Sequence, residues 1–374
     1  MKIKVYESTL GQEELDNVIE CIKSNAISGT YGRFITEFEQ KFAEYCGCKY
    51  GISTTSGTTA LHLALASLDL GRRDEVITTT ITNAATVFSI IYCDATPVLV
   101  DIEPDTWNID IEKIEEKINE RTKAILPVHI YGHPVDMDPI IELAEKYNLK
   151  IVEDCAECHG GEYKGKKVGS FGDIGCFSMY FNKVIQCGEG GMLTTNNENI
   201  AEYAKLLRNL AFSKERRFLH NHIGYNYRMS NLHASIAVAQ LKKIDKIIER
   251  KREIAQIYNS LLKDADGITL PVEKPYAKNV YWMYCILVEK NRDELMEKLA
   301  KEGIETRTFF IPMHQQPAFH NMGLFKKDAV HSILSKSETY PVAEEISEKG
   351  MYLPSGLNLT KEQIESICDV IKKC

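Results

Sequence analysis

Lys183 lies in a stretch of the chain that is otherwise free of charge, since residues 174–188 contain no other charged side chain. The apolar run at residues 174–180 predicts a strand, so this lysine follows a strand end. Burial lowers the pKa of a lysine and makes its neutral amine a better nucleophile. Lysines more often lie at the surface with the ammonium in water, so the pattern alone leaves both interpretations open.

Asp154 closes another apolar run, which begins at Ile151 and ends with two adjacent carboxylates. In open α/β sheets, ligands gather at the carboxyl ends of the strands. A carboxylate there can keep a pyridinium nitrogen protonated, which makes the ring an electron sink. A strand-end aspartate that caps the following turn is an equally good interpretation of this position alone.

Small residues at positions 56–59, Ser-Gly-Thr-Thr, precede an apolar segment with helical character. A glycine-containing turn that opens a helix presents free amides and the positive end of the helix dipole, which suits a phosphate. Ser178, five positions before Lys183, could donate to the same phosphate. The glycine-rich run 188–191 marks a tight turn and lacks the G-x-G-x-x-G spacing of a dinucleotide site.

The elements around these residues alternate between strand and helix. Apolar runs at 75–80, 97–102, 123–128 and Lys150–Asp154 predict strands, and residues 138–147 predict one of the helices between them. This alternation predicts an α/β fold with a large, mostly parallel sheet. The strand ends would then bring Asp154 and Lys183 to one edge of that sheet.

A different pattern follows residue 240. Residues 241–262 predict one long amphipathic helix, residues 281–288 a strand and Arg292–Lys301 a helix. Thr360 and Gln363 form a capping box for a final helix, as Thr9 and Gln12 do for an opening one. We therefore predict a large α/β domain at residues 1–240 and a smaller α+β domain at residues 241–374.

Composition narrows the classes of function. The chain has 374 residues and a formal net charge of −8, which disfavours nucleic-acid and anionic-membrane binding. The sequence shows neither the basic start and apolar run of a signal peptide nor an apolar stretch of the ~20 residues that span a bilayer. We therefore predict a cytoplasmic protein. The eleven cysteines predict reduced thiols, and their spacing predicts no metal site.

A phosphate cradle, a ring-nitrogen partner and an amine nucleophile in one α/β domain are what a pyridoxal-phosphate enzyme requires. The chain resembles the DegT/DnrJ/EryC1/StrS family of sugar aminotransferases. The segments that carry this resemblance are 153–161, 163–183, 188–192, 223–232, 304–307 and 312–314. The similarity runs from about Ser28 to the last helix. It implies the aspartate-aminotransferase-like fold type I.

The resemblance implies a role for each matching residue. Lys183 would carry pyridoxal 5'-phosphate as a Schiff base and move the proton, with pyridoxamine phosphate as the intermediate, and Asp154 would pair with the pyridine nitrogen. Glu157 would lie by the phenolic oxygen of the cofactor. The phosphate would be held by Gly57, Thr58 and Ser178.

The resemblance also implies partners. Asn226 matches an asparagine that reaches the phosphate from the neighbouring subunit, which implies a homodimer with shared active sites. Four basic residues are candidates for the donor carboxylate or the sugar nucleotide, and a structural role is the alternative for each: His220, Arg228, Arg307 and His314.

The implied reaction moves an amino group from an amino acid, with L-glutamate expected, to a nucleotide-linked keto sugar. Among family members the similarity is greatest to enzymes that aminate C4 of a GDP-linked 4-keto-6-deoxy sugar, as in perosamine synthesis. Three alternatives remain: amination of a smaller phosphorylated keto compound, a dehydratase of the same fold, and a non-enzymatic binding or regulatory subunit. Such dehydratases carry histidine at the Schiff-base position, so Lys183 argues against that alternative.

One position departs from the family pattern. Where family members place an aromatic residue that stacks on the cofactor ring, this chain has Asn83. Either the ring has lost this partner, or a nearby residue such as Phe88 replaces it.

Overall fold

The computed structural model describes residues 3–213, 215–216, 218–321 and 339–373. The helices are α1 Gln12–Lys23, α2 Arg33–Cys46, α3 Gly57–Ser67, α4 Ala84–Tyr92, α5 Met137–Tyr147, α6 Glu198–Arg208, α7 Asn231–Leu241, α8 Ile244–Leu262, α9 Arg292–Lys301, α10 Pro317–Asn321, α11 Pro341–Lys349 and α12 Lys361–Lys372. The strands are β1 Tyr50–Thr54, β2 Glu75–Thr79, β3 Thr96–Val100, β4 Thr122–Leu126, β5 Lys150–Asp154, β6 Glu162–Tyr163, β7 Lys166–Lys167, β8 Ile174–Ser178, β9 Gly191–Thr195, β10 Ile268–Thr269, β11 Ala277–Lys278, β12 Tyr284–Val288, β13 Arg307–Thr308 and β14 Gly350–Leu353.

Seven strands form the central sheet, in the order β1-β9-β8-β5-β4-β2-β3. Every neighbouring pair is parallel except the two pairs that β9 makes with β1 and β8. The prediction of a mostly parallel sheet is therefore confirmed. Strand β5 has the predicted bounds, and the other predicted strands of this sheet differ from the observed ones by one or two residues at an end.

Helix α3 is the element that brings a helix N-terminus to this sheet. Apolar residues occur on all its sides, and most of them are buried, which is the pattern of a helix enclosed by the protein. The Ser56 hydroxyl caps its first turn by accepting a hydrogen bond from the Thr59 amide at 3.2 Å. Its first residue, Gly57, lies against Ser178 at the end of β8.

A four-stranded antiparallel sheet, β10-β12-β14-β13, dominates the C-terminal part. Its apolar core includes Tyr258 of α8, Tyr284 of β12 and Ile367 of α12. The helix predicted over 241–262 begins at Ile244 instead, because α7 ends at Leu241 and two lysines separate the helices. The domain boundary near residue 240 stays a prediction.

The chain segment around Ile3 pairs with this C-terminal part. Ile3 forms a parallel bridge with Ile304, through hydrogen bonds of 2.8 Å to Gly303 and from Glu305. A further hydrogen bond of 3.0 Å joins the Ser355 amide to the Val5 carbonyl. Among the described helices, none is long and apolar enough to cross a membrane.

The two predicted capping boxes had different outcomes. The box at Thr360 is confirmed, with the Gln363 amide 3.2 Å from the threonine hydroxyl and the reciprocal bond at 2.9 Å. The box at Thr9 is wrong, because α1 begins after Gly11. The Gly11 amide donates to the Glu14 carboxylate at 2.8 Å, and this buried carboxylate sets the start of the helix.

Candidate active site

One cavity of about 310 Å³ lies at the carboxyl ends of β5 and β8, beside the first turn of α3. Six residues predicted from the sequence to act on the cofactor line it together: Gly57, Thr58, Asp154, Glu157, Ser178 and Lys183. They come from three separate segments of the chain, residues 57–58, 154–157 and 178–183. The fold brings them together because the strand ends and the α3 N-terminus meet at one edge of the sheet.

Lys183 is 7% exposed, and its Nζ faces two different groups. It lies 3.8 Å from Oε1 of Glu157 and 3.9 Å from the centroid of the Trp282 ring. Burial lowers the pKa of Lys183, while the nearby carboxylates of Glu157 and Asp154 oppose that effect. The pKa is thereby moved toward the neutral amine, which is the form that bonds carbonyls and takes protons.

Glu157 is fixed by the backbone of the loop that follows β4. Its Oε2 accepts a hydrogen bond of 2.9 Å from the Tyr131 amide, and Tyr131 has a left-handed φ of 51°. Burial raises the pKa of Glu157 to about 7, against the opposing charge of Lys183. This side chain can therefore hold or release a proton near neutral pH.

Asp154 is 4% exposed, and both of its oxygens accept hydrogen bonds. The Thr86 hydroxyl donates to Oδ2 at 2.8 Å, and the Ala156 amide donates to Oδ1 at 3.0 Å. Thr82 in turn lies 2.7 Å from the Thr86 hydroxyl. Burial raises the pKa of Asp154, and these two donors and the charge of Lys183 work against that rise.

The first turn of α3 and the end of β8 form a cradle that excludes any larger residue at position 57. A Cβ atom on Gly57 would lie 2.6 Å from Cβ and 3.0 Å from Oγ of Ser178. The amides of Gly57 and Thr58 have no acceptor within their own helix, because they belong to its first turn. Amides, a hydroxyl and a helix dipole together suit a phosphate group.

Asn83 lines the same cavity, and it is the N-cap of α4, where its side chain accepts a hydrogen bond of 3.0 Å from the Ala85 amide. Phe88 does not line the cavity. Its ring packs edge-on against Phe319 at 5.8 Å and beside Tyr92. The hypothesis that Phe88 replaces the usual aromatic residue therefore gains no support from its position.

Asn226, His220 and Arg228 lie outside this cavity. Asn226 is exposed and is bridged to Asn209, whose side chain accepts a hydrogen bond of 2.7 Å from Arg228. His220 is also exposed, with Nδ1 at 2.9 Å from the Leu210 carbonyl. The roles of all three stay predictions.

Arg307 and His314 differ in their relation to the cavity. Arg307 lies opposite Tyr352 in the register of β13 and β14, and Tyr352 lines the cavity. His314 lies 2.8 Å from the Thr80 hydroxyl and 3.0 Å from a Glu344 oxygen, and it does not line the cavity. Both of their predicted roles stay predictions.

Comparison with known proteins identifies the family. A model of the DegT/DnrJ/EryC1/StrS aminotransferase family matches residues 8–372. The chain belongs to this family. The GDP-perosamine synthase of Escherichia coli O157:H7 is 41% identical over 373 residues, which cover 99% of this chain and 98% of that protein.

Solved structures agree with the family match. The structure of S. venezuelae DesV in complex with a ketimine intermediate has a TM-score of 0.89 at 33% identity, covering 96% of this chain and 94% of that one. Helicobacter pylori PseC, an aminotransferase involved in the biosynthesis of pseudoaminic acid, has a TM-score of 0.91 at 28% identity, covering 100% and 99%. The protein is therefore a pyridoxal-phosphate-dependent sugar aminotransferase of fold type I.

The residues of the cavity fit this cofactor. The buried carboxylate suits a protonated ring nitrogen, and the buried lysine suits an aldehyde carbon. The cradle at position 57, which has no room for a side chain, suits a phosphate. The enzymatic interpretation of the sequence is confirmed. The dehydratase and the binding subunit receive no support from the comparisons.

Sequence reasoning missed the aromatic wall of the aminotransferase cavity, which is made by Trp282, Phe310, Tyr352 and Tyr180. Trp282 precedes strand β12 and is separated by about a hundred positions from Lys183. Its only signal in the sequence was an apolar run, which is also the pattern of an ordinary core strand. Only the folded chain places its ring against the lysine.

Glu153, next to Asp154, has a structural role. Its carboxylate accepts hydrogen bonds of 2.8–2.9 Å from the amides of Gly169, Phe171 and Gly172. Nε2 of His129 lies 3.2 Å away, and Nδ1 of the same ring accepts from the Val135 amide. Through these bonds the carboxylate holds the turn before β8, the strand that carries Ser178.

Proposed function

We propose that this aminotransferase transfers an amino group from L-glutamate to C4 of a GDP-linked 4-keto-6-deoxy sugar, with Lys183 as the residue that bonds the cofactor. The observation that carries this proposal is the cavity that unites Lys183, Asp154 and the Gly57 cradle. The acceptor is inferred from the relative that is 41% identical over almost the whole chain and is named for GDP-perosamine.

Asp154 and Lys183 divide the chemical work. Bound pyridoxal phosphate supplies an electron sink for the bond between Cα and hydrogen of the donor. Asp154 would keep the ring nitrogen protonated, which deepens that sink. Lys183 would bond the cofactor at rest, and its freed amine would act as the general base that takes the Cα proton of the donor and returns it.

The other residues of the site bind the cofactor. Gly57, Thr58 and Ser178 bind the phosphate, and Glu157 lies beside the phenolic oxygen. Asn226 completes the phosphate site of a second subunit, which makes the enzyme a homodimer with shared sites. The exposure of Asn226 supports this, because its neighbours Tyr225 and Tyr227 pack against His62 while it faces outward.

Among the four basic candidates for substrate binding, Arg307 has the strongest structural support. Its strand neighbour Tyr352 lines the cavity, and its charge opposes the rise in the pKa of Tyr352 that burial causes. We assign Arg307 to the donor carboxylate or the sugar nucleotide. His314 has the weakest support, since both of its ring nitrogens face protein groups.

The test is a visible absorption spectrum of purified protein before and after the addition of L-glutamate. We expect the band of a lysine-bound cofactor, converted by glutamate to the pyridoxamine form, and we expect Lys183→Ala to lack that band. Lys263→Ala is the matched control, because Lys263 lies at the surface with its side chain 69% exposed. A wild-type spectrum without the band, after incubation with pyridoxal phosphate, would show that Lys183 is wrongly assigned.

The acceptor is tested on the glutamate-reduced enzyme. A GDP-linked 4-keto-6-deoxyhexose should restore the original band, whereas a dTDP-linked analogue and a phosphorylated triose ketone should restore it much more slowly. Faster recovery with the triose would favour the alternative of a smaller phosphorylated acceptor.

A further inference from the structure

We propose that Trp282 is a further catalytic residue, whose indole face stabilises the Lys183 ammonium during the interval in which that lysine carries the substrate proton. This inference rests on the proposed function, because it requires Lys183 to alternate between amine and ammonium. It assigns a chemical task to an aromatic residue whose importance was not visible in the sequence.

The geometry is that of a cation over an aromatic face. Nζ of Lys183 lies 3.9 Å from the centroid of the Trp282 ring, well inside the distance of about 6 Å at which the attraction operates. Both side chains are buried, at 7% and 3% exposure. Since little water reaches the ammonium, the ring takes over part of the stabilisation that water would give.

Several bonds fix the orientation of Trp282. Its indole Nε1 donates to the carbonyl of Asn182, the residue before the lysine, at 2.7 Å. Its own carbonyl accepts a hydrogen bond of 2.8 Å from Nζ of Lys251. The ring of Tyr131 lies nearly parallel to it, at 6.4 Å and 6°. The indole is thus tied both to the lysine segment and to the loop that holds Glu157.

Lys251 is itself an unusual support, because it is a buried lysine whose hydrogen-bond acceptors are uncharged. Besides the Trp282 carbonyl, it donates to the carbonyl of Ser355 at 2.8 Å and lies 3.3 Å from the Ser355 hydroxyl. Burial lowers the pKa of Lys251 to about 7. The buried Lys251 amine therefore donates to the backbone of Trp282, and this bond holds the main chain from which the indole projects.

An aromatic ring suits this task better than a second carboxylate would. Glu157, at 3.8 Å on another side of Nζ, can itself take up a proton near neutral pH, so it competes with Lys183 for protons. The ring attracts the ammonium but cannot accept its proton. The other ionisable groups that act on Nζ or line the cavity are Asp154, His159, Glu189, Tyr180 and Tyr352.

The test measures the pKa of Lys183 in the apoprotein, where no cofactor is needed. Trace acetic anhydride is added at a series of pH values, and the acetylated peptide that contains Lys183 is quantified by mass spectrometry. Trp282→Leu should lower the pKa of Lys183 by about one pH unit, because the cation–π attraction is lost in a buried site. Trp282→Phe should lower it much less.

These two variants are a matched pair, since both lose the indole hydrogen bond to Asn182 and only one keeps an aromatic face. Equal pKa values of Lys183 in the two variants, or a value in Trp282→Leu that equals that of the wild type, would overturn the proposal.

Fluorinated tryptophan, compared with the unlabelled Trp107→Phe protein, gives a second measurement that keeps the indole and its hydrogen bond to Asn182, and it applies even where Trp282→Leu does not fold. The chain contains two tryptophans, so Trp107→Phe leaves Trp282 as the one labelled position. Each added fluorine weakens the ring quadrupole, and the pKa of Lys183 should fall stepwise. A constant pKa across the series contradicts the role of the ring. Failure of the proposed function would appear instead in the spectra with glutamate, which the labelling does not use.

Discussion

At the scale of single residues, burial determines how the ionisable groups of the cavity behave. It lowers the pKa of Lys183 and raises that of Glu157 and Asp154, so each group is moved toward its neutral form. Their mutual attraction works in the opposite sense. Two proton carriers, the lysine amine and the Glu157 carboxyl, thus lie within 3.8 Å of each other.

Glu157 gives a prediction about stability and pH. Its pKa is raised from an ordinary value of 4.5 to about 7, so the folded protein binds an extra proton between these two pH values. The stability that this group contributes is therefore present at low pH and is lost as the pH rises toward 7. Relative to Glu157→Gln, the unfolding free energy of the wild-type apoprotein should fall by roughly 3 kcal/mol across this window.

The measurement is urea-induced unfolding of both apoproteins at pH values from 4.5 to 8. Because glutamine does not titrate, the difference between the two curves reports the titration of Glu157 together with its coupling to Lys183. A difference that stays constant with pH would show that the Glu157 carboxyl titrates normally in the folded protein.

Asp154 gives a prediction about the chemical step. Asn at this position keeps the shape, and its single oxygen can still accept from the Ala156 amide while its NH2 group faces the Thr86 hydroxyl, but it carries no charge to keep the ring nitrogen protonated. The rate of the glutamate half-reaction in Asp154→Asn should fall by about two to three orders of magnitude. Stopped-flow absorbance measures it, and Thr86→Val, which removes one donor to the carboxylate, should give a much smaller loss. A rate in Asp154→Asn within tenfold of wild type would contradict the assignment.

At the scale of elements, the contact between the first turn of α3 and the end of β8 gives the next prediction. Gly57→Ala would place a Cβ 2.6 Å from that of Ser178, so the cradle must open or the phosphate must move. We expect the affinity for pyridoxal phosphate to fall about tenfold to a hundredfold. Titration of the apoprotein by absorbance measures it.

Gly71→Ala is the control for this change, because a Cβ there meets no atom closer than 3.9 Å. An unchanged affinity in Gly57→Ala would mean that the cofactor phosphate is held elsewhere.

The elements also show why part of the site was predictable from the sequence. Asp154 and Lys183 follow apolar runs that could be recognised as strands, and parallel strands bring their ends to one edge. Gly57 could be recognised by the small residues at a helix start. Trp282 could not, because its contact with Lys183 depends on how the C-terminal part packs against the central sheet. The start of α1 was misjudged for a similar reason, since Glu14, buried against Gln240 and Lys243, determines it.

At the scale of the whole molecule, the proposed shared site predicts complementation between two defective subunits. In a mixed dimer of Lys183→Ala and Asn226→Ala chains, one site would combine the intact lysine of one subunit with the intact asparagine of the other. Random mixing should restore about a quarter of the wild-type activity, because about half of the dimers are mixed and each has one whole site.

The experiment mixes the two unfolded chains, refolds them together and measures cofactor binding and transamination. Each variant refolded alone is the control. If Asn226 acts within its own subunit, mixing restores nothing above those controls.

The pairing of Ile3 with Ile304 can form only late in the synthesis of this chain. The two partners are separated by about three hundred residues, and ribosomes add roughly 5–20 residues per second. The segment that contains Ile3 and Val5 therefore waits on the order of 15–60 seconds before its partners at 303–305 and 355 leave the ribosome. The strands of the central sheet emerge well before then. The segment that contains Ile3 and Val5 is thus made early and pairs late, after the strands that carry Asp154 and Ser178 have had time to form.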